Sequence, residues 1–240
     1  MSRNAAPPSD VPEAIGPDAA SRQDFIHANT AILVPPHVPE LRLHLASEAF
    51  GLWHRTEEEL QRIGLPPPYW AFAWAGGQAL ARYLLDNPDT AHAKPVIEIG
   101  TGCGIAAIAA AICGAGSVIA YDIDPFAVIA AKMNASLNGA ELDVRLADPA
   151  MPPANLVAGF ATPSLILIGD LFYERGLAAD MRELAFQATN DGHTVLVGDP
   201  SRAYLPGTGE LKEIACYEVP VTRALEDAEI RRTRVFRFIC

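Results

Sequence analysis

Nine residues, Val96-Ile-Glu-Ile-Gly-Thr-Gly-Cys-Gly104, constrain this chain more than any others. A strand-like apolar run ends in glycines at positions 100, 102 and 104, and an alanine-rich helical stretch, Ile105–Ile112, follows at once. Glycine accepts positive φ and lets a ligand approach the backbone with no Cβ in the way. A strand, a glycine loop and a helix in that order open a parallel α/β sheet. The chain then keeps alternating. Strands are predicted at Val96–Ile99, Ser117–Tyr121, Leu142–Leu146, Ser164–Ile168 and Thr194–Gly198, with helices at Ile105–Ile112, Pro125–Leu137 and Leu177–Gln187. Two closing strands, Cys216–Val221 and Arg232–Ile239, flank an acidic loop. The predicted fold class is α/β, a Rossmann-like sheet with helices on both faces.

Ahead of this core, the Pro-, Ala- and Ser-rich start reads as a disordered tail, residues 1–23. A single domain is expected over 24–240, divided into an N-terminal lid and pre-loop segment (24–88) and a cofactor-binding core (89–240). Within the first part, Ala31–Val34 and Leu41–Leu45 have short-strand character. Thr56 with Glu59 forms a capping-box signature, and Gln78–Leu85 reads as a helix stopped by Asn87-Pro88.

The loop's chemistry narrows the ligand. Gly100 and Gly102 would cradle it, but the third glycine comes one place too early for the dinucleotide fingerprint. Glu98 lies just before the loop, where a carboxylate suits a ligand with an ammonium group better than a pyrophosphate. About 20 residues on, Tyr121-Asp122-Ile123-Asp124-Pro125 ends the second strand. A carboxylate there can accept hydrogen bonds from both ribose hydroxyls. Asp122 ends the strand and is preferred; Asp124 precedes Pro125, where a helix cap is the alternative. Ile123 between them joins the cofactor-binding set. The ligand expected is S-adenosyl-L-methionine. The fourth strand ends in Gly169-Asp170-Leu-Phe-Tyr173. Ligands of open α/β sheets bind beyond the carboxyl ends of the strands, so Asp170 faces the same crevice. Its carboxylate can orient an attacking amine, with Tyr173 shaping the slot; Asp170 and Tyr173 are the catalytic candidates.

These residues carry a specific resemblance. The form Asp170-Leu-Phe-Tyr173, and the segment Pro68-Tyr-Trp-Ala-Phe-Ala-Trp74-Ala-Gly-Gly77-Gln78 before the loop, are similar to the family 16 protein-lysine methyltransferases of the seven-strand type. The similarity is narrowest to the electron-transfer-flavoprotein β-subunit lysine methyltransferases and their bacterial relatives, and runs from about residue 24 to the end. It implies a mostly parallel seven-strand sheet with an antiparallel last strand beside the fifth. It also implies that Trp74, Gly77 and Gln78 contact the cofactor, that Asp148 lies near the adenine amino group (Asp-Pro is otherwise an ordinary turn), and that Asp170 and Tyr173 frame a lysine. The implied partner is a protein, the electron transfer flavoprotein β subunit first. Ribosomal proteins and small amines are alternative substrates, and a non-catalytic adenosyl-binding protein is a further alternative.

Composition agrees with a protein partner. A net charge of −11 disfavours nucleic acid, and Arg231, Arg232, Arg234 and Arg237 alternate with other residues as one strand face would. No apolar run is long enough for a membrane span. Cys103, Cys113, Cys216 and Cys240 show no metal-binding spacing, so no metal is expected and a reducing, cytoplasmic setting is.

Overall fold

The computed structural model describes residues 18–46, 66–160, 163–221 and 228–239. Two short antiparallel strands, β1 (Ala31–Leu33) and β2 (Leu43–Leu45), follow helix α1 (Ala19–Asn29). Helix α1 starts ahead of the ordered segment expected from Asp24, because the Asp18 carboxylate accepts from the Ser21 amide at 2.9 Å and caps it. The capping box at Thr56 lies outside the described residues.

The main sheet has seven strands: β3 (Pro95–Ile99), β4 (Ser117–Asp122), β5 (Asp143–Leu146), β6 (Leu165–Gly169), β7 (Thr194–Asp199), β8 (Leu211–Pro220) and β9 (Ile230–Phe238). Their order is β5-β4-β3-β6-β7-β9-β8. Strands β3 to β7 are parallel, and β9 enters antiparallel between β7 and β8. The chain reverses direction across the sheet between β3 and β6, the switch point where ligands bind in such folds. Strand β8 is longer than the predicted Cys216–Val221. A register shift between Glu213 and Ala215 breaks the alternation that would have revealed its first half.

The helices are α2 (Ala75–Asp86), α3 (Ile105–Ile112), α4 (Pro125–Leu137) and α5 (Arg175–Asn190). Alternate strand residues separate into two cores. Val96, Val118, Ala120, Leu165, Leu167 and Leu196 pack under α2, α3 and α4. Ile97, Ile99, Ile166, Ile168, Val195 and Val197 pack against α5 on the other face. Apolar residues at every strand position are what a sheet covered on both faces requires. Helix α5 begins at Arg175, two residues before the predicted Leu177, because the Glu174 carboxylate accepts from the Gly176 and Leu177 amides.

One close approach fixes where α2 meets the sheet. A Cβ on Gly76 would lie 2.1 Å from the Gly198 carbonyl oxygen, and a Cβ on Gly198 would lie 2.3 Å from the Gly76 carbonyl oxygen. Both positions must be glycine for the helix N-terminus to rest on the end of β7. Among the described residues, no helix is long and apolar enough to cross a membrane, and no cluster of His, Cys, Asp and Glu could hold a metal ion.

Candidate active site

The glycine loop follows β3 with Gly100, Gly102 and Gly104 at φ of 68°, 52° and 84°, values that L side chains rarely adopt. The amides of Gly100 and Thr101 donate to the Tyr121 carbonyl at 2.9 and 3.0 Å, and Gly102 N donates to Asp122 Oδ2 at 2.9 Å. The loop is therefore tied to the end of β4. A Cβ on Gly102 would find its nearest neighbour, Trp70 Cα, only at 4.0 Å. The space over Gly102 is open, whereas a Cβ on Gly100 would lie 2.8 Å from the Leu171 side chain.

Glu98 is buried under the loop. Its Oε2 accepts from Thr101 Oγ1 and from Ala107 N in α3. Burial pushes its carboxyl up to about 8, with the hydrogen bonds from Thr101 and Ala107 opposing. The residue therefore braces the loop from beneath, in addition to any charge it offers a ligand. Cys103 is inert: burial raises its thiol to about 12.

Asp122 and Asp124 divide the tasks the sequence left open. Asp124 Oδ1 accepts from Phe126 N at 2.8 Å and caps α4, while burial raises its carboxyl to about 6. Asp122 Oδ1 accepts from Asp124 N and Oδ2 from Gly102 N, each at 2.9 Å. Burial raises its pKa, against those backbone hydrogen bonds. Ile123 beside it is 63% exposed, an apolar side chain held in the open at the strand end. A half-buried carboxylate and an exposed apolar side chain thus stand beside Gly102, where a Cβ would find open space. Asp148 is exposed and holds a turn, accepting from Ala150 N at 2.9 Å.

The other half of the crevice lies beyond β6 and β7. Asp170 is buried with a φ of 60°. Its Oδ2 accepts from Gly76 N at 2.6 Å and Gly77 N at 3.1 Å, so it caps α2 from a distant part of the chain. Its Oδ1 accepts from Arg202 Nη2 at 2.8 Å and Nε at 3.2 Å. A carboxylate with four such donors is held rigidly. The Arg202 guanidinium also lies 5.6 Å from the centre of the Trp74 ring, a cation–π arrangement.

Aromatic side chains frame this ion pair. Trp74 Nε1 donates to the Tyr69 carbonyl at 2.8 Å, and the Tyr69 ring is 5.9 Å from Trp74 and 5.8 Å from Tyr173. Tyr69 and Tyr173 are both more than two-fifths exposed, so they form an open rim. Gln78 is buried and points inward: Nε2 donates to the Ala73 carbonyl at 2.7 Å and Oε1 accepts from His37 N at 3.4 Å. Its contacts are with the backbone that shapes the site. Gly77 packs so that a Cβ would lie 3.0 Å from Ile105 Cγ2.

The structure adds three residues that the sequence did not single out: Tyr69, Asp199 and Arg202. A signal for Asp199 was present. Gly198-Asp199 ends β7 as Gly169-Asp170 ends β6, and Gly169 pairs with Gly198 across the two strands.

The family model for ribosomal protein L11 methyltransferase (PrmA) matches residues 78–159. The electron transfer flavoprotein beta subunit lysine methyltransferase of Danio rerio is 38% identical over 225 residues, 91% of this chain and 83% of that protein. The Xenopus laevis protein of the same name is 37% identical, covering 92% of this chain and 88% of its own length. Among solved structures, a Streptococcus mutans protein described as a candidate SAM-dependent methyltransferase aligns with a TM-score of 0.52 at 12% identity. It covers 82% of this chain and 52% of that one, and speaks to the fold alone.

Proposed function

Since the chain belongs to the family of electron transfer flavoprotein β-subunit lysine methyltransferases, we propose that it methylates lysine ε-amines of that protein, with S-adenosyl-L-methionine as methyl donor. The observation that carries the reading is the pairing of two half-sites on one sheet edge. The glycine loop with Asp122 and Ile123 lies beyond β3 and β4, and Asp170 with its aromatic rim lies beyond β6.

The cofactor supplies an electrophilic methyl group on a sulfonium. On this reading Gly102 admits it to the backbone, Gly100 makes the turn at a φ of 68° beside it, Asp122 accepts from the ribose hydroxyls, and Ile123 covers the base. Asp148 stands one turn beyond β5, within the same half. Trp74, Gly77 and Gln78 build the wall between the half-sites: Trp74 faces the crevice, while Gly77 and Gln78 fix the backbone behind it.

Asp170 orients the lysine nitrogen, and Tyr69 and Tyr173 line its approach. Methyl transfer needs alignment more than covalent help. A carboxylate held by two helix amides supplies a fixed point for that alignment. The amine must lose its proton, to water or to Asp170, before its lone pair can attack.

The match to the L11 methyltransferase family favours a ribosomal protein as a second reading. That match ends at residue 159, before Asp170, so it bears on the cofactor half and leaves the substrate half undecided. The setting we assign is cytoplasmic, with its thiols reduced. The test is transfer of a labelled methyl group to purified electron transfer flavoprotein and, in parallel, to ribosomal protein L11, with peptide mapping of the product. Label on a lysine of the flavoprotein β subunit supports the reading. Label on L11 alone replaces it.

A further inference from the structure

Asp170 is not the only carboxylate at this strand edge. Asp199 ends β7, and the Asp170 amide donates to the Gly198 carbonyl at 3.0 Å, so the two strand ends are tied together. Asp199 is fully buried. Its Oδ1 accepts from Arg202 N at 2.7 Å. Its Oδ2 is buried and has no hydrogen-bond partner among the described residues. An unmet acceptor in that position is costly, and native structures keep few of them. Ser201, inside the same turn, has a φ of 75° and is held by Arg234, whose Nη1 donates to Ser201 Oγ at 2.9 Å. A strained turn with an orphan oxygen points to function.

The charges around Asp199 can be counted element by element. Asp170 lies on the end of β6, with Tyr173 in the loop beyond it. Arg202 follows in the turn after β7. From β9, Arg234 is the register partner of Asp199, but its side chain is engaged by Ser201 and by Glu213 of β8. Helix α2 brings Gly76 and Leu80 against Gly198. Arg202 meets both carboxyl groups, Asp170 with its guanidinium and Asp199 with its amide. Burial, with the Asp170 charge adding to it, raises the Asp199 carboxyl to about 7. A substrate lysine brings a second cation to Asp170, and a second ionised carboxylate is what balances it.

We propose that Asp199 is a positioning residue for methyl transfer: once ionised, its carboxylate draws the Arg202 guanidinium off Asp170 and so leaves Asp170 to an incoming lysine ammonium. The proton of Asp199 leaves to water before Arg202 arrives. The inference rests on the lysine reading for its substrate, but the movement of Arg202 belongs to this chain alone and can be observed without one.

Two measurements test it. First, Arg202 lies over the Trp74 ring, so its departure changes the fluorescence of that indole. A pH titration of the full chain should show a fluorescence transition near neutrality. It should vanish in Asp199→Asn, in Arg202→Gln and in Trp74→Phe. A transition that survives in Asp199→Asn and Arg202→Gln, or its absence from the wild type, overturns the proposal. Arg202→Gln changes a partly exposed side chain and guards against an Asp199 variant that fails to fold.

Second, log kcat/KM for the protein substrate should rise with a slope of about 2 below pH 7 and about 1 above it, because lysine and Asp199 must both lose protons. Asp199→Asn should show a slope of about 1 throughout, with the cofactor KM unchanged. A slope near 2 retained by Asp199→Asn sinks the proposal. If the wild type labels no protein, the lysine reading fails, and the fluorescence titration still decides the movement of Arg202.

Discussion

The two halves of the crevice solve the same backbone problem with different residues. Beyond β3 the left-handed positions are Gly100, Gly102 and Gly104; beyond β6 and β7 they are Asp170 and Ser201. Glycine takes a positive φ without steric cost, whereas a residue with a Cβ pays of order 1–3 kcal/mol. The cofactor half uses the cheap solution because it needs space above the backbone. The amine half cannot, because it needs a side chain at that very position. Its strain is held by bonds across the chain, from Gly76 and Gly77 to Asp170 and from Arg202 to both Asp170 and Asp199. A loop that must be empty is built from glycine; a loop that must carry charge is built by its neighbours.

Variants can break this contrast. The most damaging should be Gly198→Ala, whose methyl group would meet the Gly76 backbone. We expect a loss at or above the top of the about 1–3 kcal/mol range for overpacking, read as a large drop in melting temperature or no soluble protein. A normal melt would mean that α2 does not rest on β7. Next, Asp170→Asn should lower kcat by about a hundredfold or more, since displaced reacting groups cost that much. Cofactor affinity, measured by calorimetry, should stay near wild type, because the cofactor half is untouched. Loss of both together would merge the two halves into one.

In the cofactor half, Asp122→Ala should weaken S-adenosylmethionine binding by roughly 1.5–3 kcal/mol, about ten- to a hundredfold. Its neighbour Asp124→Ala should spare affinity and cost about 1 kcal/mol of stability as a lost helix cap. The reverse pattern would exchange their roles. A last prediction concerns Glu98. Its folded carboxyl sits near 8 against an ordinary 4.5, so the folded state keeps a proton that the unfolded chain gives up. Stability from this group is full below about pH 4.5 and is lost as pH rises through 8. Denaturation of Glu98→Gln should show a flatter pH dependence over that window; an unchanged slope would mean the carboxylate is already ionised.

The contrast also explains what the sequence made legible. Helices α3 and α4 were read to the residue, because Gly104 and the Asp124-Pro125 pair mark their starts locally. The cofactor half is local chemistry: Glu98, Gly102 and Asp122 lie within 25 residues of one another. The amine half is not. That Asp170 caps a helix beginning at Ala75 and shares Arg202 with Trp74 depends on pairings across the sheet that no periodicity encodes. Gln78 was singled out by the resemblance alone; its side chain bonds the Ala73 carbonyl and the His37 amide, pairings that no local pattern marks. Asp199 escaped notice because a Gly-Asp at a strand end looks like an ordinary turn until its partner strand is known.

The place of β9 between β7 and β8 has a consequence for how the molecule assembles. Strand β8 precedes β9 in the chain but touches the sheet only through it. Its backbone has no strand to pair with until β9 has formed, so the two join the sheet as a hairpin. Strands β3 to β5 and helices α3 and α4, by contrast, come from one contiguous stretch with short-range contacts, which order quickly. The pocket for the nucleoside should thus be ready early in folding, and the edge beside Asp199 should close last.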